Sequence, residues 1–369
     1  MKKNSSYSDF GWILRWSALL LAVICLFLAG CGIQQPGPGR ETGPGTSADL
    51  PGGSSFAVHF IDVGQGDSSL VICDGKTMLI DGGDKSASSV VYTYLKKQGL
   101  TYLDYVVCTH PDADHVGGLS GALEQATAGT VFCPVDSYDS QAFNNFKTRV
   151  EAQGKTLVKP AADSSFQLGS ATVTVLAPRA DYKDNNNKSI VLRIVYGNTS
   201  FLFTGDAEHD SEAAMCEAGV TLKSTVLKVG HHGSDTSTSI LFLREVMPQY
   251  AVISCGKDNK YGHPTEQTLS RLSQAGATVY RTDLQGDIIC ESDGGTVTFR
   301  TARNSDATLE PSTDHATAPT EYAFVGNLNT KKFHKTDCKS APSKANSIWF
   351  TSREEAIEAG YTPCGTCKP

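Results

Sequence analysis

The sequence predicts an α/β fold in which two β-sheets are covered by helices, with a small cysteine-bearing unit appended C-terminally. Three observations carry this. Short β-branched, apolar runs punctuated by glycine recur between residues 56 and 300. Segments of helical spacing alternate with them, and two sheets covered by helices are the natural way to bury so many strands. Polar residues collect at the ends of the apolar runs, where loops of a layered fold converge on one cleft. A chain of 369 residues is long enough for a large core plus a satellite.

In order, "FAVHFIDVG" (56–64), "SSLVIC" (68–73) and "KTMLIDGG" (76–83) read as strands. "ASSVVYTYLKKQG" has helical spacing and stops at Gly99, a C-cap candidate. "YLDYVVCTH" returns as a strand, and "HVGGLSGALEQA" enters a helix. The second half repeats the theme with "ATVTVLAP", "SIVLRIVYG" and "TSFLFTGD". A helix near 210–219, "STVLKVG", a helix near 238–246 and "YAVISCG" follow. No close internal repeat is visible.

The N-terminal end reads differently. "MKK" and Arg15 precede the apolar run "WSALLLAVICLFLAG", which has the length of a signal peptide. It ends in "LAGC", the pattern of a bacterial lipobox, with Cys31 as the expected lipidated residue. The expected location is the extracellular face of the cytoplasmic membrane, lipid-anchored, or secreted. Cleavage before Cys31 takes the formal charge from −7 to −9, so charge alone does not make the whole chain a polyanion binder. No polytopic hydrophobic region is present to form a channel.

Residues 32–55 and 301–321 are rich in Gly, Pro, Ser and Thr and read as tethers that cannot offset their ordering entropy. The expected division is therefore 1–31 signal and lipidated cysteine, 32–55 linker, 56–300 body, 301–321 linker and 322–369 tail. Of the eleven cysteines, the six in the body lie scattered, several in strand-like runs, and read mostly as buried free thiols.

"THPDADHVGG" (109–118) packs His110, Asp112, Asp114 and His115 into six positions. With Asp206, His231 and His263 at the ends of later apolar runs, these acids and imidazoles need positive charge, and no basic cluster stands beside them in sequence. Divalent cations supply it. Mixed imidazole and carboxylate ligands suit Zn²⁺, Mn²⁺ or Fe²⁺ better than Ca²⁺.

The loop resembles the metal loop of the metallo-β-lactamase superfamily, His-x-His-x-Asp-His, with Asp112 in place of the second histidine. That substitution resembles the extracellular hydrolase domain of ComEC-type DNA-uptake proteins and their stand-alone relatives. "FIDVGQGDSSLV", "LIDGGD", "NNKS", "FLFTGD", "LKVGHHGS" and "YGHP" follow the same pattern. The resemblance implies an αββα sandwich with metals at one edge. It implies His110 and Asp112 on one metal, Asp114 and His115 on the second, and Asp206 bridging. His231 is the candidate for the remaining ligand of the second metal, with His232 or His263 as alternatives or as phosphate contacts. The superfamily's further histidine before the bridging aspartate is absent here, with Asn186 in that interval as a substitute. Asp81 and Asp67 are expected to support the ligands from behind, Ser234 to meet a phosphate oxygen, and Asp114 to orient water or move a proton. Two divalent ions, Zn or Mn, are the expected cofactors.

The tail spaces His334, Cys338, Cys364 and Cys367 as a closed tetrahedral zinc site, one structural Zn²⁺ that a core so small requires. It resembles the metal-binding domain of the DNA-repair protein Ada, with His334 replacing one of four cysteines. Seven Lys/Arg against four Asp/Glu give residues 322–369 a formal +3, suited to phosphate contact. The expected activity is hydrolysis of a phosphodiester by a metal-activated hydroxide, with DNA the first substrate and competence the setting. Teichoic-acid phosphocholine and non-catalytic DNA capture are the rivals. The membrane is met through the lipid, and no partner protein is inferred.

Overall fold

The structure is a computed structural model that describes Gly53 and residues 55–303, 323–327, 329–336, 338–342, 347–350 and 352–369. The expected signal peptide, the lipidation site Cys31 and most of both linkers lie outside the described residues.

The first sheet opens with β1 (Phe56–Phe60), β2 (Ser69–Cys73) and β3 (Lys76–Ile80). Helix α1 (Ser88–Lys97), β4 (Tyr102–Val107), α2 (Ala113–Val116), α3 (Leu119–Gln125), β5 (Thr127–Phe132), α4 (Gln141–Ala152) and β6 (Leu157–Val158) follow. The second sheet takes β7 (Ser165–Leu168), β8 (Ala171–Ala177), β9 (Val191–Tyr196) and β10 (Thr199–Phe203). It continues through α5 (His209–Glu217), β11 (Val226–Lys228), α6 (Ile240–Val246), β12 (Tyr250–Ile253), α7 (Glu266–Gln274) and β13 (Thr278–Arg281). Helix α8 (Thr282–Gln285) returns the chain to the first sheet as β14 (Ile288–Ser292) and β15 (Val297–Thr301).

The eight-stranded sheet runs β15-β14-β1-β2-β3-β4-β5-β6 and the seven-stranded one β13-β12-β11-β10-β9-β8-β7. Each is antiparallel at one end and parallel at the other: β3 to β6 pair in parallel, as do β10 to β13. The parallel strands are buried on both faces, so they read as unbroken apolar runs. In β3, Met78 and Ile80 point between the sheets and Leu79 points outward. In β10, Phe201 and Phe203 point between the sheets and Leu202 outward.

Helices cover both outer faces. Val91 and Leu95 of α1, Leu119 of α3, and Phe143, Phe146 and Val150 of α4 lie on the first sheet. Met215 of α5, Phe242 and Val246 of α6, and Leu272 of α7 lie on the second. Helix α4 shows the local logic. Ser140 caps it by accepting from Phe143 N at 3.2 Å, and its phenylalanines three apart fall on one face. Each fully buried side chain of this size stabilises the fold by about 1.5–3 kcal/mol, and Phe146→Ala would cost about 3–5 kcal/mol. The result is the four-layer αββα sandwich expected from the sequence. Its described cysteines are free, and five of the six in the body are buried.

The tail forms a four-stranded sheet, β18-β16-β17-β19, from β16 (Phe324–Asn327), β17 (Lys332–Lys335), β18 (Ser347–Phe350) and β19 (Thr362–Pro363), with helix α9 (Arg353–Glu358). Its core is Phe333, Ile348, Phe350, Ala356 and Tyr361, with Ile240 and Leu241 of α6 packed against it. So small a cluster cannot hold a fold by packing alone.

Candidate metal centre

The functional side chains leave the carboxyl ends of the parallel strands, the edge where open α/β sheets place ligands. Asp81 follows β3 and His110 stands three residues after β4, with Asp112 at the N-cap of α2 and Asp114 and His115 within it. Asp206 follows β10, and His231 and His232 follow β11. Asp67 sits on the β1–β2 loop at the same edge.

Three of these loops lock together through their backbones. Asp67 N donates to Asp114 O (3.1 Å), Gly82 N to His115 O (2.7 Å) and Gly83 N to Asp67 O (2.7 Å). Such approach leaves no room for side chains. A Cβ on Gly66, whose φ is +139°, would strike the Asp114 carbonyl, and one on Gly118 would strike the Gly82 carbonyl. These glycines fix the positions of the ligand-bearing turns.

Two buried carboxylates stand behind two imidazoles. Asp81 accepts from Thr109 N (2.8 Å) and Thr109 Oγ1 (2.6 Å), and its Oδ2 lies 2.8 Å from His115 Nδ1. That contact turns His115 Nε2 toward Asp206 Oδ1, 3.1 Å away. His232 Nδ1 is 3.1 Å from the Ser254 carbonyl and 3.0 Å from Asp67 Oδ1. The alignment favours Ser254 as hydrogen-bond acceptor, while Asp67 supplies the charge. His232 Nε2 then faces Asp114 Oδ2 (3.3 Å) and Asp206 Oδ2 (3.5 Å). Carboxylates or carbonyls behind Nδ1 are what orient a metal-binding imidazole.

Behind Asp67 stands a residue the sequence reading passed over. Lys228 is 2% exposed, and its Nζ lies 2.7 Å from Asp67 Oδ2 and 2.8 Å from Val229 O. The signal was a lysine inside the apolar run "TVLKVG", which must find a carboxylate if the run is buried.

The other expected residues divide. His110 Nε2 faces Asp112 Oδ2 at 3.8 Å and Asp206 Oδ2 at 3.9 Å. Ser189 Oγ sits 3.4 Å from His110 Nδ1 and accepts from Asp206 N at 3.1 Å, so the "NNKS" stretch ties the two sheets together. Asn186 does not reach the metal loop: its Nδ2 donates to Glu208 Oε1 at 3.1 Å. Its neighbour Asn185 does, donating to Asp112 Oδ1 at 2.8 Å.

His231 and His232 both have positive φ, +48° and +54°, a strained pair that throws the two rings to different sides. His232 is the buried one. His231 stays partly exposed, with Nε2 3.8 Å from Asp206 Oδ2 and Nδ1 3.3 Å from Glu208 Oε1. The place beside Asp114 and Asp206 thus goes to His232, and His231 belongs to the rim. His263 is near both rings, at 5.5 and 6.5 Å between centroids. Ser234 is used by its own turn, sharing a 3.0 Å contact with Thr236 Oγ1, and offers no free hydroxyl to substrate.

Electrostatics follow from this crowding. Burial pushes the Asp206 carboxyl up, but His115 and His232 outweigh it and hold it well below the carboxylate range. Burial likewise opposes ionisation of Asp67, and Lys228 and His232 overcome it. Burial pulls His232 down, yet Asp206 and Asp67 raise it to about 10. His115 is raised in the same way, whereas burial and then His115 keep His110 low.

The residues fit divalent cations. His110 Nε2, His115 Nε2, His232 Nε2 and Asp206 Oδ1 are buried without a hydrogen-bond partner, and all lie at this edge. Asp67, His115, Asp206 and His232 each bring a ligand atom within 4.8 Å of the others. Because Asp67 is already neutralised by Lys228, Asp114 is the better oxygen donor. In the tail, His334, Cys338, Cys364 and Cys367 meet the same 4.8 Å criterion, and His334 Nδ1 is buried without a partner. Backbone N–H groups of Cys367 and Thr366 lower the Cys364 thiol to about 7, favouring the thiolate that zinc binds.

An αββα sandwich carrying this His/Asp cluster at one edge defines a metal-dependent hydrolase. Residues 61–257 match the family described as Metallo-beta-lactamase superfamily, and residues 312–369 match the metal binding domain of Ada. The chain belongs to the metallo-beta-lactamase superfamily, and its body binds metal ions while its Ada domain binds zinc. It is 31% identical over 254 residues to ComE operon protein 3 of Bacillus subtilis (strain 168), covering 64% of this chain and 33% of that protein. Competence protein ComA of Neisseria gonorrhoeae is 34% identical over 233 residues, covering 62% and 31%. Recombination protein 2 of Haemophilus influenzae is 30% identical over 244 residues, covering 63% and 28%. The chain spans about a third of the length of these relatives. Among solved structures, the metallo-beta-lactamase fold protein YhfI from Bacillus subtilis aligns with a TM-score of 0.43 at 13% identity, over 64% of this chain and 100% of that one. Among the described residues no helix is long and apolar enough to cross a membrane.

Proposed function

We propose that this chain is a phosphodiesterase that cleaves DNA outside the cytoplasmic membrane, held there by lipid on Cys31, with two divalent cations in its body. The observation that carries the reading is the set of inward-facing, unpartnered imidazole and carboxylate atoms on His110, His115, His232 and Asp206. The relatives' names, competence and recombination, direct the choice among phosphodiesters toward DNA.

His110, Asp112 and Asp206 would hold one cation, and Asp114, His115, His232 and Asp206 the other. Bound there, divalent cations supply a lowered water pKa and positive charge opposite the attacked phosphorus. Asp114, whose Oδ2 lies 3.3 Å from His232 Nε2, would hold the second cation and orient the attacking water. His231, held through Nδ1 by Glu208, stands on the rim and can give a proton to the departing oxygen. His263 is beside it to meet a phosphate oxygen.

The test is direct. Soluble protein from residue 56 onward, loaded with Mn²⁺ or Zn²⁺, is offered DNA, RNA and a phosphocholine ester. DNA cleavage that disappears in Asp114→Ala is the expected result. Release of phosphocholine alone would move the substrate to the cell wall, and binding without cleavage under either metal would leave a capture protein.

A further inference from the structure

A cleft of about 520 Å³ opens beside the metal centre, with Asp114 on one side and Gln65, Lys260 and Tyr261 on the other. Tyr261 is 55% exposed, the largest value among the exposed large apolar side chains of the described residues. Its place beside the metal centre, rather than its exposure alone, makes it a candidate contact for substrate.

The loop that carries the ring is fixed. Asn259 Oδ1 accepts from Tyr261 N (3.1 Å) and from His263 N (3.0 Å), and Asn259 Nδ2 donates to Gly256 O (3.0 Å) and to His263 O. Gly256 N in turn donates to Gln65 Oε1 at 3.0 Å, pinning this loop to the β1–β2 loop that carries Asp67. The Tyr261 ring leans on His263, 5.7 Å between centroids at 23°, and Lys260 Nζ lies 5.0 Å from its centroid. A half-exposed aromatic ring on an anchored loop therefore stands next to the residue that would meet the phosphate, backed by His263 and with the Lys260 ammonium over it.

We infer that Tyr261 stacks a nucleobase adjoining the scissile phosphodiester, while Lys260 meets a neighbouring phosphate. This rests on the DNA reading above and narrows it to a strand whose bases are unpaired at the site, because a base within a duplex has no free face. Aromatic stacking with a cation beside it is how single strands are held without sequence preference. A quaternary ammonium is the other ligand an aromatic face takes, but it is held by a cage of rings. Here Tyr261 is the single aromatic among the residues lining the cleft, and Lys260 already brings a cation to it. The acid Asp84, also in the cleft, is occupied by Ser86 N (3.0 Å) and Ser86 Oγ (3.1 Å).

The test uses the full chain loaded with Mn²⁺ and three substrates: a single-stranded oligonucleotide, an all-abasic strand of equal length, and glycerophosphocholine. Tyr261→Ala should raise KM on the base-bearing strand roughly tenfold, in keeping with the loss of one stacked base, and change kcat far less. On the abasic strand, Tyr261→Ala and the wild type should coincide. Tyr261→Phe, which keeps the ring, should restore the lower KM. Lys260→Gln should reduce the salt dependence of binding by about one phosphate contact. Equal KM for Tyr261→Ala and wild type on base-bearing DNA would overturn the subsite while leaving the nuclease reading intact. Absence of DNA cleavage by the wild type would remove that reading and the subsite with it. Glycerophosphocholine hydrolysis lost in Tyr261→Ala would reassign the ring to choline.

Discussion

Lys228 and Asp67 face each other inside the sandwich, Nζ to Oδ2 at 2.7 Å, with 2% and 6% of their side chains exposed. The pair sits behind His232, so it joins the stability of the fold to the geometry of the site. Removing one member leaves the other charge buried and alone, which costs about 3–5 kcal/mol. Lys228→Met and Asp67→Asn should each lower stability by that order in urea unfolding, and the double variant by less than their sum. Asp67→Asn should also weaken metal affinity by about 10–100-fold, read by calorimetry.

Metal binding should release protons. In metal-free protein at pH 7, the carboxylates around them keep His115 and His232 protonated, His232 up to about 10. Ligation requires neutral imidazoles, so about two protons should leave as the second cation site fills. Calorimetric titration with Mn²⁺ in buffers of different ionisation enthalpy counts them, and the share from His232 should be lost as pH rises through about 10.

Glu212 gives a separate pH signature. It is 1% exposed, accepts from Thr238 N and from Ser239 N (2.9 Å) ahead of α6, and burial raises it to about 7. Between the ordinary 4.5 and about 7 the folded chain binds more protons here than the unfolded chain. Its contribution is therefore complete below 4.5 and is lost as pH rises through about 7. Melting curves of wild type and Glu212→Gln from pH 4.5 to 8 should diverge, the wild type losing at most about 3 kcal/mol more than the variant.

Asn185 and Asn186 should separate cleanly. Asn185 donates to Asp112 and Asn186 to Glu208. Asn185→Ala should lower metal affinity at the His110–Asp112 site by about tenfold. Asn186→Ala should leave metal content as it is, because its partner holds His231 on the rim. Metal analysis after gel filtration distinguishes them.

The architecture was legible because its central strands are buried on both faces and write themselves as apolar runs ending in ligands. "MLIDGG", "YVVCTH" and "FLFTGD" each show a strand and the polar residue it delivers. The resemblance supplied what such runs do not say, that these strands meet at one edge. What the sequence hid are choices of one residue. Which histidine of "HHG" turns inward is decided by two successive positive φ angles, and which asparagine of "NNN" meets Asp112 by a short 3-10 turn. Residue type alone carries neither. Lys228 is concealed differently, by a run apolar enough to read as strand despite its charge. Ser234 looked available because its neighbours are catalytic in character, and only the structure shows its hydroxyl engaged with Thr236.

The proposed ligands come from both halves of the sandwich: His110, Asp112, Asp114 and His115 follow strand β4 of one sheet, Asp206 and His232 follow β10 and β11 of the other. On the proposed assignment each cation would draw donors from both sheets. On the proposed reading, a chain with one layer formed and the other still unfolded would lack both complete metal sites, so hydrolysis would arrive only with the finished fold and vanish at the first parting of its layers.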